Sequence, residues 1–201
     1  MANLKPIGNS VPSESTIEQL SNHWLMNLLG PCHSWFYVPT KNEENLLGYD
    51  ASLQNYKALA IQYKRLKPNK NIGSIKINKN QHNVLISNFP AQGKPYVFYA
   101  FSKCKKYTDI RTMFFNGRGI KFCRTMVFFD IHSITAKSKY TSISYSYLQK
   151  NKIRTYNLFE IAKKFNECEV GVFYRDIENR GSDSKKYSTR ANVLVAKIKI
   201  T

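Results

Sequence analysis

The chain has 201 residues, enough for one domain with a core that needs no disulfides. Thirty-one Lys and Arg against thirteen Asp and Glu give a formal charge of +18, which fits a polyanionic partner, either nucleic acid or an anionic membrane. No apolar run reaches bilayer length and no basic amphipathic helix stands out, so nucleic acid is expected, double-stranded DNA first, and a membrane is not.

Met1–Pro12 is polar and punctuated by Pro and Gly, and reads as a loose arm. Met1–Ser15 holds no basic segment followed by an apolar one, so no secretion signal is expected and the cytoplasm is the expected compartment. Ile17, Leu20, Trp24, Leu25, Leu28 and Leu29 recur at helical spacing, which predicts a helix over 15–29 capped by Ser13 or Ser15 and ended by Gly30-Pro31. Glu14 and Glu18 fall near its start, where the helix dipole favours a carboxylate. Residues 32–43 read as an aromatic-rich connection. Strands are predicted over 46–53 and 58–66, joined by a turn around Gln54-Asn55.

Lys67–Lys79 is a basic, Asn-rich excursion carrying Lys67, Lys70, Lys76 and Lys79, and reads as a loop. A helix is predicted from Asn80 as its cap, with Gln81 and His82 in the first turn as candidate contacts to a nucleic-acid backbone. Residues 96–102 are almost continuously apolar, a strand covered on both faces. In the second half, 124–134, 169–175 and 192–200 read as strands and Leu158–Asn166 as a short helix. Arg175–Arg190 reads as a basic loop whose Arg175, Arg180, Lys185 and Lys186 could close over DNA. No repeat and no linker divides the chain. A single domain is expected, with 14–102 as the core and 103–201 adding strands, a helix and basic loops.

The chemistry concentrates between Asp50 and Lys64. Asp50 ends a short apolar run, and twelve residues later Gln62 and Lys64 sit two apart on a predicted strand, so both side chains leave the same face. A hairpin between them would bring a carboxylate, an amide oxygen and an ammonium together. That is a minimal set for metal-assisted phosphodiester cleavage. Aspartate, about a dozen residues, then (Glu/Gln)-x-Lys resembles the signature of the PD-(D/E)xK nuclease superfamily, and Gln-x-Lys is similar to the variant in Mrr-type restriction nucleases. Tyr49 stands where the family name has proline, a loose position. The resemblance covers residues 14–102.

The resemblance implies an α/β restriction-endonuclease-like core, a central mixed sheet flanked by helices. It implies Mg²⁺, with Mn²⁺ as substitute, held by Asp50 and Gln62, with Lys64 beside the attacking water. It also implies a glutamate on a helix before the metal aspartate. Glu18 is the better placed of the two helical glutamates, and Glu44, six residues before Asp50, is the alternative.

Other chemistries lack their motifs. Cys32, Cys104, Cys123 and Cys168 have no zinc spacing, and the four histidines form no ligand pair. There is no phosphate-cradling G-x-x-x-x-G-K-[ST] and no G-x-S-x-G. Two rivals remain: a non-catalytic nucleic-acid-binding protein, and a structural protein that packages nucleic acid. A homodimer or a partner subunit stays open.

The charge alone generates a prediction. Association with double-stranded DNA should fall steeply with salt, with a log–log slope of several units, because each neutralised phosphate releases about one counterion. Asp50→Ala should keep this binding. A flat salt response would make the charge compositional.

Overall fold

The computed structural model describes residues 10–29, 35–38, 40–47, 50–54, 57–67, 73–91, 93–115 and 119–173. Within these, the chain is a mixed α/β fold. Helix α1 (Glu14–Leu29) starts where Ser13 Oγ accepts from the Thr16 amide at 3.0 Å, and Ile17, Ser21, Leu25 and Leu29 form its buried stripe. Strand β1 (Trp35–Tyr37) follows, then helix α2 (Lys41–Leu47), β2 (Ala51–Gln54) and β3 (Lys57–Tyr63). These three strands form an antiparallel meander. Strand β4 (Ser74–Asn78) leads into helix α3 (Lys79–Asn88), which crosses to β5 (Val97–Ser102), parallel to β3. Helices α4 (Tyr107–Phe115) and α5 (Gly119–Thr125) precede β6 (Met126–Asp130), a 3₁₀ turn (Ile131–Ser133) and β7 (Tyr140–Ser144). Then come α6 (Tyr145–Lys150), α7 (Leu158–Asn166) and β8 (Val172–Phe173).

The main sheet runs β1-β2-β3-β5-β6, with β8 pairing the start of β3. Side-chain alternation divides the core into two layers. Leu59, Ile61, Tyr63, Phe98 and Ala100 face one layer, with α1, α4, α5 and α7. Ala60, Val97, Tyr99 and Phe101 face the other, with α3, α6 and a separate two-stranded ribbon of β4 and β7. Every residue of β5 is buried, as its apolar run predicts.

Several expectations are corrected. Leu46 and Leu47 belong to α2 and not to a strand. The cause is a capping box: the Glu43 carboxylate accepts from the Thr40 amide and hydroxyl at 2.8 Å, and the Glu43 amide donates to Thr40 Oγ1 at 3.4 Å. The cap of α3 is Asn78, whose side chain accepts from the Asn80 and Gln81 amides at 2.8 and 3.4 Å, not Asn80. The basic excursion 67–79 contains β4. The stretch 124–134 holds the end of α5, a five-residue strand and the 3₁₀ turn, where Asp130 accepts from the His132 amide. Helix α7 has its predicted bounds and buries Leu158, Ile161, Ala162 and Phe165 behind an Asn157–Glu160 capping box. The strand over 192–200 and the loop 175–190 lie outside the described residues.

Lys57 clamps α7 to the sheet. It is fully buried, donates through Nζ to the Phe165 carbonyl at the helix end, and lies 4.3 Å from the Phe165 ring centroid. Just beyond, Gly171 has a φ of 86°, and a Cβ there would meet the Ala58 carbonyl and the Phe165 ring at 3.1 Å. Lys57→Ala should lower unfolding free energy in urea by about 2–4 kcal/mol, since it removes both the stem packing and the acceptor's partner. Lys57→Met, which keeps the stem, should cost roughly half as much. A Lys57→Met variant as stable as the parent would mean the ammonium contributes nothing.

Candidate functional site

The β2–β3 register decides what meets at the site. Ala51 opposes Ile61, so one step outward Asp50 opposes Gln62, and its amide donates to the Ile61 carbonyl at 3.0 Å. Asp50 Oδ2 accepts from the Tyr63 amide at 2.6 Å and from Gln62 Nε2 at 2.5 Å. Gln62, 1% exposed, turns its Oε1 to Gln81 Nε2 at 2.9 Å. Gln81 Oε1 in turn accepts from Lys64 Nζ at 2.8 Å, and Lys64 is 8% exposed.

A continuous chain therefore runs from ammonium through two amides to carboxylate. Each amide presents oxygen toward the cationic end and nitrogen toward the anionic end. That alignment lets the bonds polarise one another in a poorly solvated floor.

Gln81 is placed by the Asn78 cap, which fixes the first turn of α3, and not by contact with solvent. The floor opens into a cleft of about 420 Å³. It is lined by Gln62, Lys64 and Gln81, by Asn78, Asn80 and Val84, by Lys41 and Asn45 of α2, and by Glu14 of α1. Glu14 Oε1 accepts from the Arg65 amide at 2.9 Å, which ties the start of α1 to the chain just past Lys64.

The structure thus brings together Asp50, Gln62 and Lys64 and adds Gln81, expected only as a surface contact. The helical carboxylate that lines the cleft is Glu14, not Glu18. Glu18 adds, with Asp50, to the upward push that burial exerts on the Tyr63 phenol, whose side chain lies on the opposite face of β3 from Gln62. Glu44 is on α2. His82 is 5% exposed and stacks on Tyr99, with Nδ1 3.1 Å from the phenol oxygen. Burial, then the nearby His132, holds its imidazole below the usual pKa. It is a core residue, not a backbone contact: in α3 it falls on the same buried face as Leu85. Lys67, Lys76 and Lys79 are exposed. Lys70, Arg175, Arg180, Lys185 and Lys186 lie outside the described residues.

Among the described residues, no three His, Cys, Asp or Glu side chains gather as a metal-ligand cluster. The oxygens that could hold a cation are two carboxylates and an amide, those of Asp50, Glu14 and Gln62. They are hard donors of the type that suits Mg²⁺. The Gln62 oxygen has two lone pairs, so accepting from Gln81 leaves it able to ligate. Comparison of the chain with protein-family models, curated proteins and solved structures finds no match.

Gln81→Leu should lower stability by about 1–3 kcal/mol, because Gln62 Oε1 and Lys64 Nζ each lose a buried hydrogen bond. Asn83→Ala, on the exposed side of α3, should change it by less than about 0.5 kcal/mol. Chemical denaturation of the two variants checks this. Indistinguishable midpoints would dissolve the amide chain as a structural unit.

Proposed function

We propose that the protein is a Mg²⁺-dependent nuclease with a restriction-endonuclease-like core, hydrolysing phosphodiester bonds in DNA. The observation that carries this reading is the hydrogen-bonded chain Asp50–Gln62–Gln81–Lys64, of which Gln62, Gln81 and Lys64 line an open cleft. The order of elements supports it. A helix precedes the aspartate, an antiparallel hairpin presents aspartate and Gln-x-Lys side by side, and a further core strand returns after a helix. The resemblance in the sequence implies the same order.

In this reading Asp50, Gln62 and Glu14 would hold Mg²⁺, which when bound supplies a Lewis acid at a phosphate oxygen and a more acidic water. Lys64, held by Gln81 and close to the cleft floor, orients the attacking water and offsets charge developing on the phosphate. Gln62 contributes a neutral oxygen where glutamate would bring charge, so the site stays assembled without a cation. Acid scarcity supports the substrate: residues 51–108 contain eleven Lys and Arg and no Asp or Glu. No helix among the described residues is long and apolar enough to cross a membrane.

The rival reading, a non-catalytic nucleic-acid-binding protein, uses the same charge without the site. Incubation with plasmid and linear DNA in Mg²⁺, Mn²⁺ or EDTA separates them. Divalent-dependent cleavage should fall by about 10²-fold or more in Asp50→Ala and in Lys64→Ala. Gln62→Ala should lose less, since water replaces a neutral ligand more readily than a charged one, and Gln62→Glu should hold the metal at least as well. Glu14→Ala, compared with Glu18→Ala and Glu44→Ala, identifies the remaining carboxylate. A folded chain that cleaves neither DNA nor RNA with any divalent ion returns the protein to the binding reading.

A further inference from the structure

The ribbon of β4 and β7 has no part in the chemistry proposed above, yet its surface is unusual. Ile75, Ile77 and Ile143 point into the core, while Lys76, Tyr140 and Ser142 point outward. The register sets Lys76 opposite Ser142 and Asn78 opposite Tyr140. Tyr140 is 50% exposed, and two ammonium groups gather on its ring, Lys76 Nζ at 5.3 Å and Lys139 Nζ at 5.8 Å from the centroid. Lys79 is held next to them, its amide donating to the Lys139 carbonyl at 3.1 Å.

We propose that this outer face seats the phosphate backbone of duplex DNA, with Lys76 and Lys139 on Tyr140 as a two-point phosphate grip. The inference rests on the nucleic-acid part of the reading above and not on its chemistry. Two like charges on one ring repel, and a cation–π contact at an exposed site offsets only about 0.5–1 kcal/mol each. Ordinarily a neighbouring carboxylate would relieve the pair. Here both strands come from acid-free stretches: 51–108 and 131–159 contain no Asp or Glu. Among the described residues no carboxylate pairs with Lys76 or Lys139, and a phosphate between the two ammonium groups supplies that charge.

Shape agrees. Five residues of strand span about 17 Å, and serines at positions 74, 142 and 144 keep the surface low beside the lysines. The ribbon also leads to the cleft, because Asn78, its last residue on β4, lines the cleft rim and caps α3. A backbone held on Lys76 and Lys139 therefore continues toward Lys64. A duplex and not a single strand is proposed because the tyrosine ring already carries ammonium groups and is not free to stack on a base.

The test is equilibrium binding of the full chain to a short mixed-sequence duplex in EDTA, across a salt series. The paired substitution Lys76→Ala with Lys139→Ala should weaken binding about tenfold or more at 0.1 M salt and flatten the log–log slope by about two. Tyr140→Leu, which keeps both charges but frees them from the ring, should weaken binding with a smaller change in slope. Lys163→Ala, on α7 against the other face of the sheet, should leave both unchanged. An unaltered affinity and slope in the paired variant overturns the grip while leaving a nuclease that still cleaves. A parent chain that binds no duplex at all overturns the nucleic-acid reading itself. Loss of heparin binding with duplex binding intact would assign the face to a different polyanion and also defeat the proposal.

Discussion

Pairing β2 against β3 with Ala51 opposite Ile61 places Asp50 opposite Gln62, and the rest of the cleft depends on that register. A slip of one residue would turn Gln62 and Lys64 into the α1 layer and Tyr63 out of it. The cost of such a slip is set far from the site. Leu59, Ile61 and Tyr63 are buried against α1 and α7 on one side, and Ala60 against the ribbon layer on the other. The parallel partner β5, buried along its whole length, holds β3 a second time through Ala60↔Val97 and its neighbours. Core packing thus fixes the relative position of three polar side chains that contribute little to the core themselves.

Those polar side chains also have to tolerate burial. An ammonium and a carboxylate in a poorly solvated floor are costly unless both are hydrogen-bonded. The two glutamines give each charge a dipole of the right sense. A glutamate at position 62 would set a second carboxylate against Asp50, and one of the pair would then be driven toward its protonated form without a cation. The glutamine avoids that conflict, at the expense of a weaker hold on any metal. The same reasoning explains why Gln81 belongs to the floor and not the surface. Its side chain bonds both Gln62 and Lys64.

How much of this the sequence revealed follows from the range of each interaction. Helix α1, strand β5 and helix α7 rest on local periodicity and lie within a residue or so of their expected bounds. Asp50, Gln62 and Lys64 were legible because a hairpin is local too. Helix α2 was missed because Leu46-Leu47 resembled a strand start, although Thr40 and Glu43 offered a capping-box signal three residues apart. The ribbon was missed because Asn78 and Tyr140 pair across more than sixty residues, a partnership no window contains. Ile75 and Ile77, alternating with Lys76 and Asn78, did carry a period of two inside the supposed loop. The burial of His82 depends on Tyr99 and on the face α3 presents, neither of which its own neighbours encode.

Charge is divided by the sheet. On the α7 side, Glu160, Glu167 and Glu169 stand among Lys163 and Lys164, and the two lysines pair with Glu167 and Glu169. On the other side, β4, α3, β7 and α6 contain no acidic residue, and Asp130, at the end of β6, is engaged by His132 at 3.0 Å. A polyanion approaching the described part of the molecule therefore meets acids interspersed among bases on the α7 side, and on the other a surface whose β4, α3, β7 and α6 carry none. The cleft opens beside the basic face, where Asn78 joins β4 to α3. Under the proposed nuclease reading, long-range attraction and the short-range constellation would lie on one side, and orientation by the field, which persists over about a Debye length, would also bring a phosphate toward Lys64. An acidic patch on α3 would separate the two, drawing a polyanion to one surface and leaving Lys64 on another.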